Sequence, residues 1–245
     1  MRIIGITGPI GHGKTSFGKA LQKLEPQSVH YESAEVIAHL AESWLKMAPT
    51  LPAPDDIPAI NDWLQKLVPV LNNDLEVHCT FLDVKLDPSA IRLQPDQYQK
   101  LFEFLEQAPV EDVGITEETK EYFRPLLQWM GGYFVAKVDF GIWYKQILRN
   151  IKADEAKGAT LATVGGLRFP QDAVILKEAG AIIVDIERPG QTKADQDDPT
   201  ERQRQNILTD TSIINNGNLL DLESCASRFY SDIQQGQVKP SYSAV

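Results

Sequence analysis

The 245-residue chain predicts an α/β protein: three α/β/α layers around a mainly parallel five-stranded sheet, with a mostly helical insertion. Three observations predict it. Short β-branched runs alternate with amphipathic helical patterns at both ends of the chain, which calls for a sheet covered on both faces. A glycine-rich turn joins the first such strand to the first such helix. Between the two alternating regions lies an acidic, proline-punctuated stretch with little strand pattern.

The first strand is Ile3–Thr7, short and apolar, and the first helix is Lys14–Leu24, with Phe17, Ala20, Leu21 and Leu24 at helical spacing. A second strand, Ser28–Tyr31, leads into a helix over Ala34–Met47. Its Val36, Ile37, Leu40, Ala41, Trp44 and Leu45 make one apolar face. From Ala48 to Pro109 prolines recur at positions 49, 52, 54, 58, 69, 88, 95 and 109. Within that stretch Ile57–Leu71 and Gln97–Gln107 still read as helices, the second through Tyr98, Leu101, Phe102 and Leu105. Residues 48–121 are accordingly set apart as an insertion, and 1–47 with 122–245 form the core. The alternation then resumes with helix Phe140–Ile151, strand Ala159–Val164, helix Gln171–Ala179, strands Ala181–Ile186 and Ser212–Asn215, and helix Leu219–Ile233.

The glycine-rich turn carries chemistry. Gly8, Gly11, Gly13, Lys14 and Thr15 satisfy G-x-x-x-x-G-K-[ST], the phosphate loop of P-loop proteins, in its required strand-to-helix setting. Glycines let backbone N–H groups approach phosphate oxygens with no Cβ in the way. The helix that follows presents its positive end to the same anion. A plain connecting turn would explain one or two glycines, but not Lys14 and Thr15 in register. The loop predicts binding of a nucleoside triphosphate, ATP, by Gly8, Gly11, His12, Gly13, Lys14, Thr15 and Ser16. Lys14 reaches the β/γ-phosphates and Thr15 completes the shell of Mg²⁺.

The formal net charge of −10 is unevenly spread. Between Glu42 and Glu121 there are 16 acidic and 6 basic residues, while the rest of the chain has 18 of each sign. A segment with that excess does not make a nucleic-acid groove, which needs clustered Lys and Arg; plain solubility is the favoured account of it. No apolar run is long enough to span a bilayer and no signal peptide is read, so neither nucleic acid nor membrane is expected as a partner. Cys79 and Cys225 form neither a disulfide framework nor a metal pattern, which suits a cytoplasmic location.

Three further stretches supply candidate ligands. In Tyr122–Ile147, Arg124 and Gln128 stand one helical turn apart; Arg can hold a phosphate bidentately and Gln can address a base edge. A surface Arg–Gln pair on an amphipathic helix is the plainer account. Gly165-Gly166-Leu167-Arg168 follows a strand directly, where ligands bind in open α/β sheets, and Arg188 follows the next strand in the same way. Residues 188–208 are polar and carry Arg188, Arg202 and Arg204, the composition of an arginine lid over a transferring phosphate or of a plain solvated loop.

Taken in order, these stretches resemble the phage-type deoxynucleoside monophosphate kinases, within the wider group of P-loop nucleoside monophosphate kinases. The resemblance rests on the phosphate loop, R-x-x-L-Q-x-x-G at Arg124–Gly131, Trp143, and Leu167-Arg168-Phe169-Pro170. It continues through Ile186-Glu187-Arg188-Pro189-Gly190 and Ile214-Asn215-Asn216-Gly217-Asn218-Leu219. It covers roughly 1–42 and 122–233. Where family members have Asp-Val-Arg-Phe, this chain has Gly166-Leu167-Arg168-Phe169. Their Gly-Thr-Glu is Gly131-Gly132-Tyr133 here, the basic residue after it corresponds to Lys137, and the lid's His-x-Ser-Glu is echoed by Asp198-Pro199-Thr200-Glu201.

The resemblance implies transfer of the γ-phosphoryl group of ATP to a nucleoside monophosphate. Lys14, Arg168 and Arg188 would be catalytic, and Arg124, Gln128, Lys137 and Arg168 would hold the acceptor. Asn216 and Gly217 would lie near the adenine, and Thr15 would be the metal ligand. Another small-molecule P-loop kinase, such as a dephospho-coenzyme A kinase-like enzyme, and a non-catalytic nucleotide-binding regulator are the alternatives. A homodimer is left open. Residues 48–121 are the candidate acceptor-binding flap.

Overall fold

The computed structural model describes residues 1–47, 52–53, 55–65, 114–116, 118–137, 140–191 and 203–245. The chain divides into two units, Met1–Ser33 with Ile147–Val245, and Ala34–Gln146.

The first unit is built on a sheet of β1 (Arg2–Thr7), β2 (Ser28–Glu32), β3 (Leu161–Gly165), β4 (Ile182–Glu187), β5 (Thr211–Asn215) and β6 (Ser241–Ala244). Their order is β2-β3-β1-β4-β5-β6, and every pairing is parallel. All carboxyl ends therefore share one edge. Side chains alternate across β1: Ile4 and Ile6 join Phe17 and Leu21 of α1 (Lys14–Leu24) in a core completed by Leu222 and Phe229 of α7 (Leu219–Gln234). Gly5 faces the opposite layer, where an added Cβ would meet Ile183, Leu167 and Leu176, the last on α6 (Pro170–Glu178). These are the three layers expected.

The sheet has six strands where the sequence predicts five. The extra strand, Ser-Tyr-Ser-Ala, is short and has one strong strand former, so no apolar alternation announces it. Its Tyr242 holds it in place: the ring packs edge-on to Phe229 at 5.4 Å and the hydroxyl donates to Asp232 at 3.1 Å.

The second unit is helical: α2 (Ser33–Met47) enters it, α3 (Ile57–Gln65) and α4 (Lys120–Lys137) follow, and α5 (Ile142–Ala156) begins in it and continues into the first unit. An added Cβ on Gly131 of α4 would lie 3.2 Å from Ile37 of α2, and Trp143 donates from Nε1 to the Gly131 carbonyl at 3.2 Å. Glu42 accepts from the Ile115 N–H at 2.6 Å. The boundaries thus fall near residues 33 and 146, where proline and charge patterns place them near 47 and 121. Composition marks where the chain turns, whereas the apolar face of α2 is answered by α4. The expected helix at Ile57–Leu71 is described as far as Gln65, and that at Gln97–Gln107 lies outside the described residues.

Candidate active site

β1 ends at Thr7, whose hydroxyl donates to the Leu167 carbonyl at 3.2 Å, and the chain then enters the loop before α1. Gly8, Gly11 and Gly13 all have positive φ, 141°, 80° and 104°. At Gly8 glycine is needed, because a Cβ would collide with the Ile186 carbonyl of β4. Gly13 caps α1 and brings no side chain to its first turn, which also contains no acidic residue. The first N–H groups of the helix therefore stay available to an anion. Lys14 folds back into the loop and donates from Nζ to the carbonyls of Gly8 and Pro9, each at 2.7 Å. Thr15 is exposed and Ser16 half-buried at the same helix start.

Behind the loop, His12 acts as a brace. Its ring is buried, its Nδ1 accepts from the Arg188 backbone N–H at 2.8 Å, and its carbonyl accepts from Asn215 Nδ2 at 3.0 Å. An N–H can only donate, so Nδ1 carries the lone pair. The loop is thereby tied to the carboxyl ends of both β4 and β5. Arg188 extends an exposed guanidinium that donates to the Gly217 carbonyl at 3.3 Å. Of the neighbouring asparagines, the exposed Asn216 was the one the resemblance singled out; the loop is held by the buried Asn215. The signal for Asn215 is its place in β5: it continues the inward positions of Thr211 and Ile213, and a buried amide there must find a partner.

Asp185 is a second residue that motif reading passes over. It lies opposite Thr7 in the sheet, and Arg204 reaches its Oδ1 from Nη1 at 3.4 Å. Burial pushes its carboxyl above the usual range and Glu187 adds to this, while Arg204 and Lys14 pull it back. Arg204, one of the candidate lid arginines, is 7% exposed and sits as a charge beside this edge. The polar stretch around it gave no sign which arginine returns to the sheet. Arg202 and residues 192–202 of the expected lid lie outside the described residues.

Arg168 follows β3 with its side chain exposed and its backbone fixed by Asp172. The Asp172 carboxylate caps α6 by accepting from the N–H groups of Arg168 and Phe169, both at 3.0 Å. Burial nevertheless pushes Asp172 up to about 6, against the pull of those N–H groups and of the Arg168 guanidinium. Folding therefore favours its protonated form: its contribution is full near pH 4 and declines as pH rises through 6. Asp172→Asn, whose Oδ1 can accept the same bonds, is expected to remove that decline. Chemical denaturation from pH 4 to 7 should show the variant gaining on the parent, by an amount on the order of 3 kcal/mol at most. A parallel pH profile for both proteins would contradict the assignment.

Arg124 and Gln128 lie four residues apart on α4, both exposed on one face of that helix, and Lys137 is its last residue.

A parallel sheet ordered β2-β3-β1-β4-β5, with a phosphate loop after β1 and arginines following β3 and β4, defines an α/β/α protein of the P-loop kinase type. The sequence pattern of the deoxynucleotide monophosphate kinase family matches residues 65–225, well over half of the chain, and the chain belongs to that family. Membership makes it a kinase of nucleotides. The phosphate loop lies outside the matched span, so the two observations are independent. The span also runs through the acidic central segment, which the motif resemblance did not reach. No curated protein shows significant similarity to the chain. Among the described residues no helix is long and apolar enough to cross a membrane.

Proposed function

We propose that the protein transfers the γ-phosphoryl group of ATP to a deoxynucleoside monophosphate, giving the diphosphate and ADP. The observation that carries this reading is the loop geometry: three positive-φ glycines and an inward-folded lysine at the start of α1, in a chain of this kinase family. In the transfer an acceptor phosphate oxygen forms the new P–O bond while the bond from the γ-phosphorus to the β,γ-bridging oxygen breaks. The acceptor oxygen is already ionised at neutral pH, since the second pKa of a phosphate monoester is about 6. No general base is required, and positioning with charge neutralisation carries the reaction.

Gly8, Gly11 and Gly13 shape the cradle for the β- and γ-phosphates, with Ser16 at its rim and His12 holding it to the sheet. Lys14 leaves the loop carbonyls for the phosphate oxygens. The donor set suits Mg²⁺: the exposed Thr15 hydroxyl offers a hard oxygen beside the phosphates, and the cation, when bound, neutralises charge on the β- and γ-oxygens. Arg168 with Arg124, Gln128 and Lys137 hold the acceptor, and Arg188 with Arg202 covers the transferring group. Asn216 and Gly217 border the adenine. The acidic segment 48–121 would repel a phosphate, so it meets the acceptor through base or sugar.

The test is ADP formation across a panel of deoxynucleoside and nucleoside monophosphates, with dephospho-coenzyme A included. Preference for one or two deoxynucleotides supports the reading. Turnover of dephospho-coenzyme A alone, or none with any acceptor, would replace it with the other kinase or the regulator.

A further inference from the structure

β2 and β3 pair with Glu32 opposite Gly165, at the edge where the phosphate loop begins. β3 ends at Gly165, and Gly166 follows it with φ of 73°. The space their side chains would take is filled by the Glu32 carboxylate. A Cβ on Gly165 would collide with Oε1, and one on Gly166 would stand 2.8 Å from Oε2 and 3.2 Å from the Ser33 hydroxyl. His30 flanks this carboxylate: its Nδ1 is 2.8 Å from Thr163 Oγ1 on β3, and its Nε2 lies 3.4 Å from Glu32 Oε1. The Glu32 side chain remains 34% exposed, so it reaches solvent at the edge.

Just beyond the glycines, Leu167 accepts the hydrogen bond from Thr7, the last residue before the loop. Adjacent strands are about 4.8 Å apart, so a carboxylate lying over the end of β3 is about one strand spacing from the end of β1. The charges described at this edge otherwise include Lys14, Arg168, Arg188 and Glu187 at the end of β4, with Asp185 engaged by Arg204. A divalent cation held on phosphate oxygens keeps several waters, and those waters need acceptors.

We propose that Glu32 reaches across from β2, over the cleared end of β3, to position the water shell of the metal–nucleotide at the phosphate loop. It acts as a positioning residue, and the glycine pair is what gives it room. This rests on the kinase reading above. Three chains test it beside the parent: Glu32→Gln, Glu32→Ala, and Glu32→Ala combined with Gly165→Asp. The readouts are ATP affinity by titration calorimetry with Mg²⁺ and with EDTA, and the melting temperature without ligand.

Glu32→Gln is expected to keep the melting temperature and the affinity in EDTA, and to lose about tenfold in affinity when Mg²⁺ is present. The double variant should regain part of the loss seen in Glu32→Ala, because Gly165→Asp places a carboxylate where that of Glu32 lay. Unchanged Mg²⁺ dependence in Glu32→Gln, or an equal loss with and without metal, would overturn the proposal. So would a folded double variant no better than Glu32→Ala. A parent chain that binds no ATP in either condition would fail the kinase reading itself, and this inference with it.

Discussion

Lys14→Ala is expected to lose most of its turnover while leaving the fold in place. The ammonium donates to two loop carbonyls, Gly8 and Pro9, which water can reach once the side chain is gone. Losing two such bonds costs about 1–2 kcal/mol. In the transition state the same charge faces the β- and γ-phosphates in a site where water is scarce, and removing a preorganised donor there costs on the order of 10²–10³ in rate. Turnover measured beside thermal melting separates the two effects. A variant that melts within a few degrees of the parent and turns over at the parental rate would remove Lys14 from the chemistry.

The largest stability effect is expected from Gly8→Ala. The residue has φ of 141°, and the added methyl group would meet the Ile186 carbonyl, a backbone atom of the neighbouring strand that cannot rotate away. Strain in that conformation and overpacking each cost about 1–3 kcal/mol, and here they act together. Denaturation should show a loss of roughly 3–5 kcal/mol, with weakened ATP binding because β1 and β4 must part to admit the methyl group. Gly190→Ala is the control: its φ is 83° but open space surrounds it, so only the strain remains. Equal losses at the two glycines would show that the Ile186 contact adds nothing.

Much of this architecture was legible because it is written locally. β1 to β5 announce themselves as β-branched runs between helices, and the phosphate loop is a motif whose glycines specify a backbone path. Reading that motif required no knowledge of distant residues. The groups that hold the loop in place were not legible for the converse reason. Asn215 and Asp185 matter because the strand order and register bring them beside His12 and Thr7, and that order is not local information. Gly166 reads in sequence as a missing acid. Only the pairing of β2 with β3 shows that a carboxylate from another strand fills the same space. β6 was missed because four residues with one aromatic carry no pattern, although Tyr242 locks them to α7. Prolines and charge set 48–121 apart, whereas the packed helical unit runs over Ala34–Gln146, because prolines mark turns, not contacts.

The central claim is phosphoryl transfer from ATP to a deoxynucleoside monophosphate, and the fate of a label tests it most directly. The protein is incubated with Mg²⁺, ATP labelled in its γ-phosphate and each deoxynucleoside monophosphate in turn, and the labelled products are separated. The account predicts label in the β-phosphate of the deoxynucleoside diphosphate, formed one for one with ADP, and formed by Lys14→Ala on the order of 10²–10³ times more slowly. Label that stays in ATP with every acceptor, or that appears only as inorganic phosphate, would contradict it.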